Sequence, residues 1–189
     1  MNSLYKNKEQ ILSEGFTIID DVFSSEETDS LVLLLNHLDT SNPNFRKTND
    51  LFAIRQFLKE VPAIRQLILN EKLCTIIKQF IGQDYFIVKS VYFDKPEQSN
   101  WFVAYHQDLT IAVDKKNEIE GFVNWTVKQN HFAVQPPLHM LQNNFTIRIH
   151  VDDTDENNGA LKVIPGSHLK GIYRPEKKIG KAKMKIFAE

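Results

Sequence analysis

The sequence predicts an α+β protein: an all-β core wrapped by a helical layer that the first part of the chain contributes. Apolar residues recur at helical spacing through residues 1–82 and change to the two-residue alternation of strands through residues 83–189. The two patterns follow one another instead of interleaving, which argues against βαβ units and a parallel sheet. A length of 189 residues, 42% of them hydrophobic and 13 of them Phe, suits one domain with a sizeable core.

Each element has its own signal. Residues 3–14 read as a short polar helix that Gly15 breaks, and residues 16–19 as a strand. Ser24, with Glu27 three places on, forms a capping box that opens a helix over 26–38, striped by Leu31, Leu34, Leu35 and Leu38. Residues 61–69 and 72–81 repeat the helical period, and Gly82 stops the second. The run from Tyr85 to Phe93 reads as a strand, followed by a turn-rich stretch over 94–100. A second strand is expected over 101–113, where aromatic and β-branched residues crowd. Residues 114–143, with Gln135-Pro-Pro137, look irregular. Residues 145–151 alternate, with Thr146, Arg148 and His150 on one face and Ile147, Ile149 and Val151 on the other. An acidic turn over 152–159 then leads to a strand at 160–164 and to Pro165-Gly-Ser-His168.

Composition removes several function classes. A net charge of −1 lacks the basic excess of a nucleic-acid protein. No stretch approaches the roughly eighteen apolar residues of a membrane span, and the first residues lack a signal peptide's apolar core. The single Cys74 rules out an intramolecular disulfide and fits a reducing compartment, so a cytoplasmic protein is expected.

The chemistry-bearing feature is His106-Gln107-Asp108. Side chains alternate along a strand, so positions 106 and 108 share a face, roughly 6–7 Å apart at the backbone. An imidazole and a carboxylate so placed can converge on one divalent ion, supplying two members of a 2-His-1-carboxylate facial triad. The tripeptide alone is weak, because six histidines among many aspartates produce it readily by chance. Gln107 points the other way and is expected to orient a neighbouring group.

Four ordered blocks make the pattern specific. They are Tyr105-His-Gln-Asp-Leu-Thr-Ile-Ala-Val113, Gly121-Phe-Val-Asn-Trp-Thr-Val-Lys128, His131-Phe-Ala-Val-Gln-Pro-Pro137, and the stretch from Ile147 through Asn158-Gly159 to Pro165-Gly-Ser-His168. Together they resemble the bacterial branch of the phytanoyl-CoA dioxygenase family over most of residues 12–175. The resemblance implies a double-stranded β-helix, or jelly roll, and an enzyme that uses Fe(II), 2-oxoglutarate and O₂ to hydroxylate a small molecule. It makes His106 and Asp108 iron ligands and places Trp125 and Lys128 near the mouth of the active site. The family's third ligand is a histidine on a late strand, followed about ten residues later by an Arg or Lys that pairs with 2-oxoglutarate.

After His168 the sequence holds no further histidine up to Glu189, so the resemblance implies an incomplete barrel lacking its last strands. His150 is the best internal substitute for the third ligand, ahead of His168, which more simply holds its own loop. An inward Arg148 would be a candidate partner for an anionic cofactor or substrate, and an outward one a solvated cation. His131 and His139 flank a segment that could cover the site, and His37 ends a helix, where a charge–dipole contact accounts for it. The acidic run 152–156 lacks the spaced Gly and terminal Glu of a calcium loop and reads as a solvated turn. The alternative to an enzyme is an inactive, truncated relative that binds metal weakly, or a jelly-roll binding module. Unpaired edges at 145–151 and 160–164 would then invite self-association.

Overall fold

A computed structural model of the chain describes residues 2–39, 41, 45–48, 51–94, 104–128, 131–156, 158, 160–173 and 185–186. Helix α1 spans Asn2–Glu14 and α2 spans Ser25–Asn36. The box at the start of α2 forms as the sequence dictates. Ser24 Oγ accepts from the Glu27 amide at 3.3 Å, and the Ser24 amide donates to Glu27 Oε2 at 2.8 Å. His37 follows as the C-cap, its Nδ1 donating to Leu33 O at 2.7 Å, so it satisfies a helix-terminal carbonyl.

The first half then departs from a purely helical layer. Strands β1 (Phe45–Thr48) and β2 (Leu51–Arg55) form a hairpin, and β2 also pairs antiparallel with β3 (Val91–Asp94), giving the order β1-β2-β3. Residues 16–19 form no strand, and of the strand expected over 85–93 only its end, β3, is laddered. The span 61–69 is likewise shorter than its periodicity indicates. Within it only α4 (Ile64–Ile68) is helical; a separate short helix, α3 (Phe57–Glu60), precedes it, and Val61, Pro62 and Ala63 divide the two, the proline ring being unable to continue a helical ladder. Helix α5 (Glu71–Ile81) is capped by Asn70, whose side chain accepts from the Leu73 amide at 2.8 Å and donates to Glu27 Oε1 at 3.0 Å. One residue thus starts α5 and fastens it to the start of α2.

The core lies here. Leu31, Ile54, Phe57, Val61 and Ile64 form one buried cluster, and Leu73, Ile76 and Ile77 bury the inner face of α5. Phe57 stacks on Tyr92 with centroids 5.2 Å apart, and Phe52 meets the same ring edge-on. Burial, reinforced by the charges of Asp94 and Asp152, pushes the Tyr92 hydroxyl up to about 12.

The second half is built on small antiparallel sheets. Strands β4 (Ile111–Val113), β5 (Val123–Lys128) and β6 (His131–Gln135) pair in the order β4-β6-β5, with a register shift between Val123 and Thr126. Two strands therefore arise inside the span 114–143 that its composition marks as irregular. The chain continues through α6 (Leu138–Leu141), and β7 (Lys162–Val163) pairs with β8 (Lys185–Ile186). Residues 144–150 carry no ladder, although their alternation predicts a strand, and the strand expected over 160–164 shortens to β7. In the second half only Val134 and Pro136 are buried among the described residues, while Phe86, Leu169 and Val127 are 84%, 69% and 58% exposed. The stretches 95–100 and 101–103 and most of 174–189 lie outside the described residues.

This division of the core has a measurable consequence. Ile54→Ala, at 0% exposure, is expected to cost about 2–5 kcal/mol in urea unfolding, through lost transfer energy and the cavity left behind. Phe86→Ala, on the open surface, is expected to stay within about 0.5 kcal/mol of the parent.

Candidate metal centre

Residues 104–110 run without a ladder, so the strand expected over 101–113 is confirmed only at β4. The backbone still alternates its side chains, because that alternation needs only an extended chain and not a partner. His106 Nε2 and Asp108 Oδ1 stand 3.8 Å apart on one side, and Gln107 leaves on the other. The pair is open to solvent, at 59% and 72% side-chain exposure, rather than enclosed in a barrel.

The tautomer of His106 follows from its neighbour. Nδ1 lies 2.9 Å from Ala104 O, and a carbonyl only accepts, so Nδ1 carries a proton and, in the neutral ring, the lone pair falls to Nε2. That lone pair is on the atom facing Asp108. Two donors on adjacent corners of an octahedron, with bonds of roughly 2.1 Å, sit about 3 Å apart, so a small rotation of two exposed side chains closes 3.8 Å to that spacing. One imidazole nitrogen and one carboxylate oxygen suit Fe(II) or Mn(II). Among the described residues, no third His, Cys, Asp or Glu stands with them.

The remaining candidates are dispersed. Trp125 and Lys128 are three residues apart on β5, Trp125 at the register shift between Val123 and Thr126 and Lys128 opposite His131. Trp125 lines a shallow cavity of about 250 Å³ with Val113, Ile119, Phe122 and Val134, while Lys128 is solvated. His131 lies on β6 and His139 on α6, so both belong to regular elements instead of a loose cover. Arg148 keeps much of its surface exposed, yet desolvation of its guanidinium pulls its pKa below the ordinary arginine value. His150 is also lowered, first by burial and then by the charge of Arg148, which biases its ring to the neutral form. The acidic run closes on itself: the Asp155 amide donates to Asn158 Oδ1 at 2.7 Å, and the Asn158 amide donates to Asp155 Oδ1 at 3.1 Å. Gly159 lies outside the described residues.

Two contacts that local sequence patterns do not reveal involve His168 and Gln107. His168 Nε2 donates to Leu12 O at 3.2 Å, and the Gln107 carboxamide bonds the backbone of Gly171 and Tyr173. The only sequence signal for either is membership in the ordered blocks, which marks the residues without pairing them.

The fold is thus a mixed helix-and-strand one with small antiparallel sheets, and it carries an exposed His–carboxylate pair. Residues 12–185 match the family model described as phytanoyl-CoA dioxygenase, PhyH, and the chain belongs to that family. It is also 23% identical over 182 residues to a protein of Stutzerimonas stutzeri named probable alpha-ketoglutarate-dependent hypophosphite dioxygenase, covering 89% of this chain and 54% of that one. The chain thus spans about half the length of the curated relative it matches. No solved structure matches it.

The coupling between Arg148 and His150 is open to direct test. Arg148→Gln is expected to raise the His150 pKa part of the way toward the ordinary imidazole value, since burial persists when the charge is gone. A ¹H–¹³C NMR titration of the ring reads the change. An unchanged or lowered value contradicts the assignment.

Proposed function

We propose that this chain carries the metal-binding motif of an Fe(II)/2-oxoglutarate-dependent dioxygenase that hydroxylates a small molecule, with His106 and Asp108 as ligands. The observation that carries the reading is the 3.8 Å approach of His106 Nε2 to Asp108 Oδ1, with Nδ1 engaged by Ala104 O so that Nε2 is the donor. Family membership and the relative's printed activity support the same class of reaction. Iron bound there would supply the chemistry that couples 2-oxoglutarate and O₂ to oxidation of a C–H bond. The chain's own part is to hold His106 in one tautomer, to offer Asp108 as a charged oxygen donor, and to leave the rest of the coordination sphere open.

The reading extends to the fold and the other candidates. The small antiparallel sheets would form part of a double-stranded β-helix, with Trp125 and the apolar cavity on the β4-β6-β5 sheet at the substrate side. Arg148 and Lys128 are the candidate cations for the carboxylates of 2-oxoglutarate. Phe145 and Ile147, 47% and 43% exposed on a stretch without a ladder, are where a second chain would pair. No helix among the described residues is long and apolar enough to cross a membrane. A reducing, cytoplasmic setting suits the free thiol of Cys74.

A second reading, a weak metal binder without catalysis, is favoured by the absence of a third ligand among the described residues. Both are tested together by adding Fe(II) anaerobically to the purified chain and then following succinate release from 2-oxoglutarate. Weak binding that His106→Ala abolishes, with little turnover, is the expected result if His106 and Asp108 alone hold the ion. Robust turnover would show that a third ligand exists and would remove the second reading. Binding that survives in both His106→Ala and Asp108→Ala would remove the first.

A further inference from the structure

The H-Q-D tripeptide divides its work between its two sides. Opposite His106 and Asp108, Gln107 Nε2 donates to Gly171 O at 2.8 Å, and Gln107 Oε1 accepts from the Tyr173 amide at 2.8 Å. The carboxamide therefore occupies the position that a neighbouring strand's backbone would take, pairing one donor and one acceptor on alternate residues. Residues 104–110 carry no ladder of their own, so these two bonds are a principal restraint on the direction in which the segment faces.

Gly171 and Tyr173 follow directly on the 3₁₀ turn Ser167–Lys170, and that turn is seated on the end of α1. The Gly166 amide donates to Glu14 O at 2.8 Å, and His168 Nε2 donates to Leu12 O at 3.2 Å. The His168 ring lies so close over Gly15 that a Cβ there would overlap it, and Gly15 adopts a φ of +89°, which favours glycine in any case. Covalent and hydrogen-bonded contact thus runs unbroken from α1 through the P-G-S-H turn to Gln107.

We propose that Gln107 and His168 are positioning residues of the metal centre: the P-G-S-H turn is a bracket between α1 and the H-x-D segment that sets the direction of His106 and Asp108 without touching the ion. The proposal rests on the reading of His106 and Asp108 as ligands, and it assigns His168 to the bracket and not to the ion. Two exposed side chains on an unpaired backbone would otherwise sample many orientations, and pre-orientation of ligands by their neighbours characteristically changes metal affinity by about 10–100-fold.

The test uses the full chain, Mn(II) as probe, and amide hydrogen exchange in the absence of metal. Gln107→Met keeps length and removes both bonds; His168→Ala acts at the far end of the bracket. Both are expected to weaken Mn(II) binding by about 10-fold or more, with Gln107→Met the stronger. Without metal, Gln107→Met is expected to speed exchange of the Tyr173 amide, whereas His106→Ala abolishes Mn(II) binding and leaves that amide as slow as in the parent. Parent-like Mn(II) affinity in both bracket variants, or parent-like Tyr173 exchange in Gln107→Met, overturns the proposal. If Gln107→Met does not fold, the His168→Ala affinity decides. A parent chain that binds no Mn(II) overturns the ligand assignment and the metal half of the proposal, while the exchange rates judge the bracket separately.

Discussion

Along an extended backbone successive side chains leave on opposite sides, and at residues 106–108 that alternation separates two tasks that would otherwise compete for space. His106 and Asp108 converge on one side to 3.8 Å, and Gln107 on the other takes the backbone of Gly171 and Tyr173. A one-residue slip in this segment would exchange the faces, turning the amide toward the open side and both donors into the turn. The consequences of the site, from the tautomer of His106 to the reach of the P-G-S-H turn, depend on this parity.

The rest of the molecule supplies a foundation that lies mostly elsewhere. The buried cluster of Leu31, Ile54, Phe57, Val61 and Ile64 sits in the first half, with Asn70 fastening α5 to α2. The second half carries the candidate chemistry on short sheets with few buried apolar residues. Its described connections to the first include β3 on β2, the Ser90 hydroxyl accepting from the Leu58 amide at 3.0 Å, and the seat of His168 on α1. Large apolar groups such as Phe86 and Leu169 remain in solvent. A site on such a base depends for its geometry on specific polar contacts more than on close packing, which is why an amide clamp matters here.

The helices were the most legible part of the sequence. The Ser24–Glu27 box, the Leu31 stripe and the stop at Gly82 are local signals, and each local signal was honoured within a residue or two. Strands were less legible, because a strand needs a partner that may lie far away in sequence. The alternation of 145–151 found no partner among the described residues, whereas the 123–128 and 131–135 runs found one another inside a stretch rich in turn formers. The His106–Asp108 approach followed from spacing alone, and the divergence of Gln107 with it. The targets of Gln107 and His168 were illegible, since nothing local in the sequence pairs residue 107 with 171 and 173, or 168 with 12. Trp125 and Lys128 share a motif block but not a setting, since Trp125 lines the apolar cavity and Lys128 is solvated.

The central claim is that one divalent ion is held at His106 and Asp108, and paramagnetic broadening by Mn(II) in ¹H–¹⁵N and ring ¹H–¹³C NMR spectra tests it most directly. The predicted result is selective loss of the His106 ring signals and of the amides flanking residues 106–108, followed at higher Mn(II) by Gly171 and Tyr173 across the clamp. Broadening centred on the acidic turn at residues 152–156, with the His106 ring signals intact, would contradict the account.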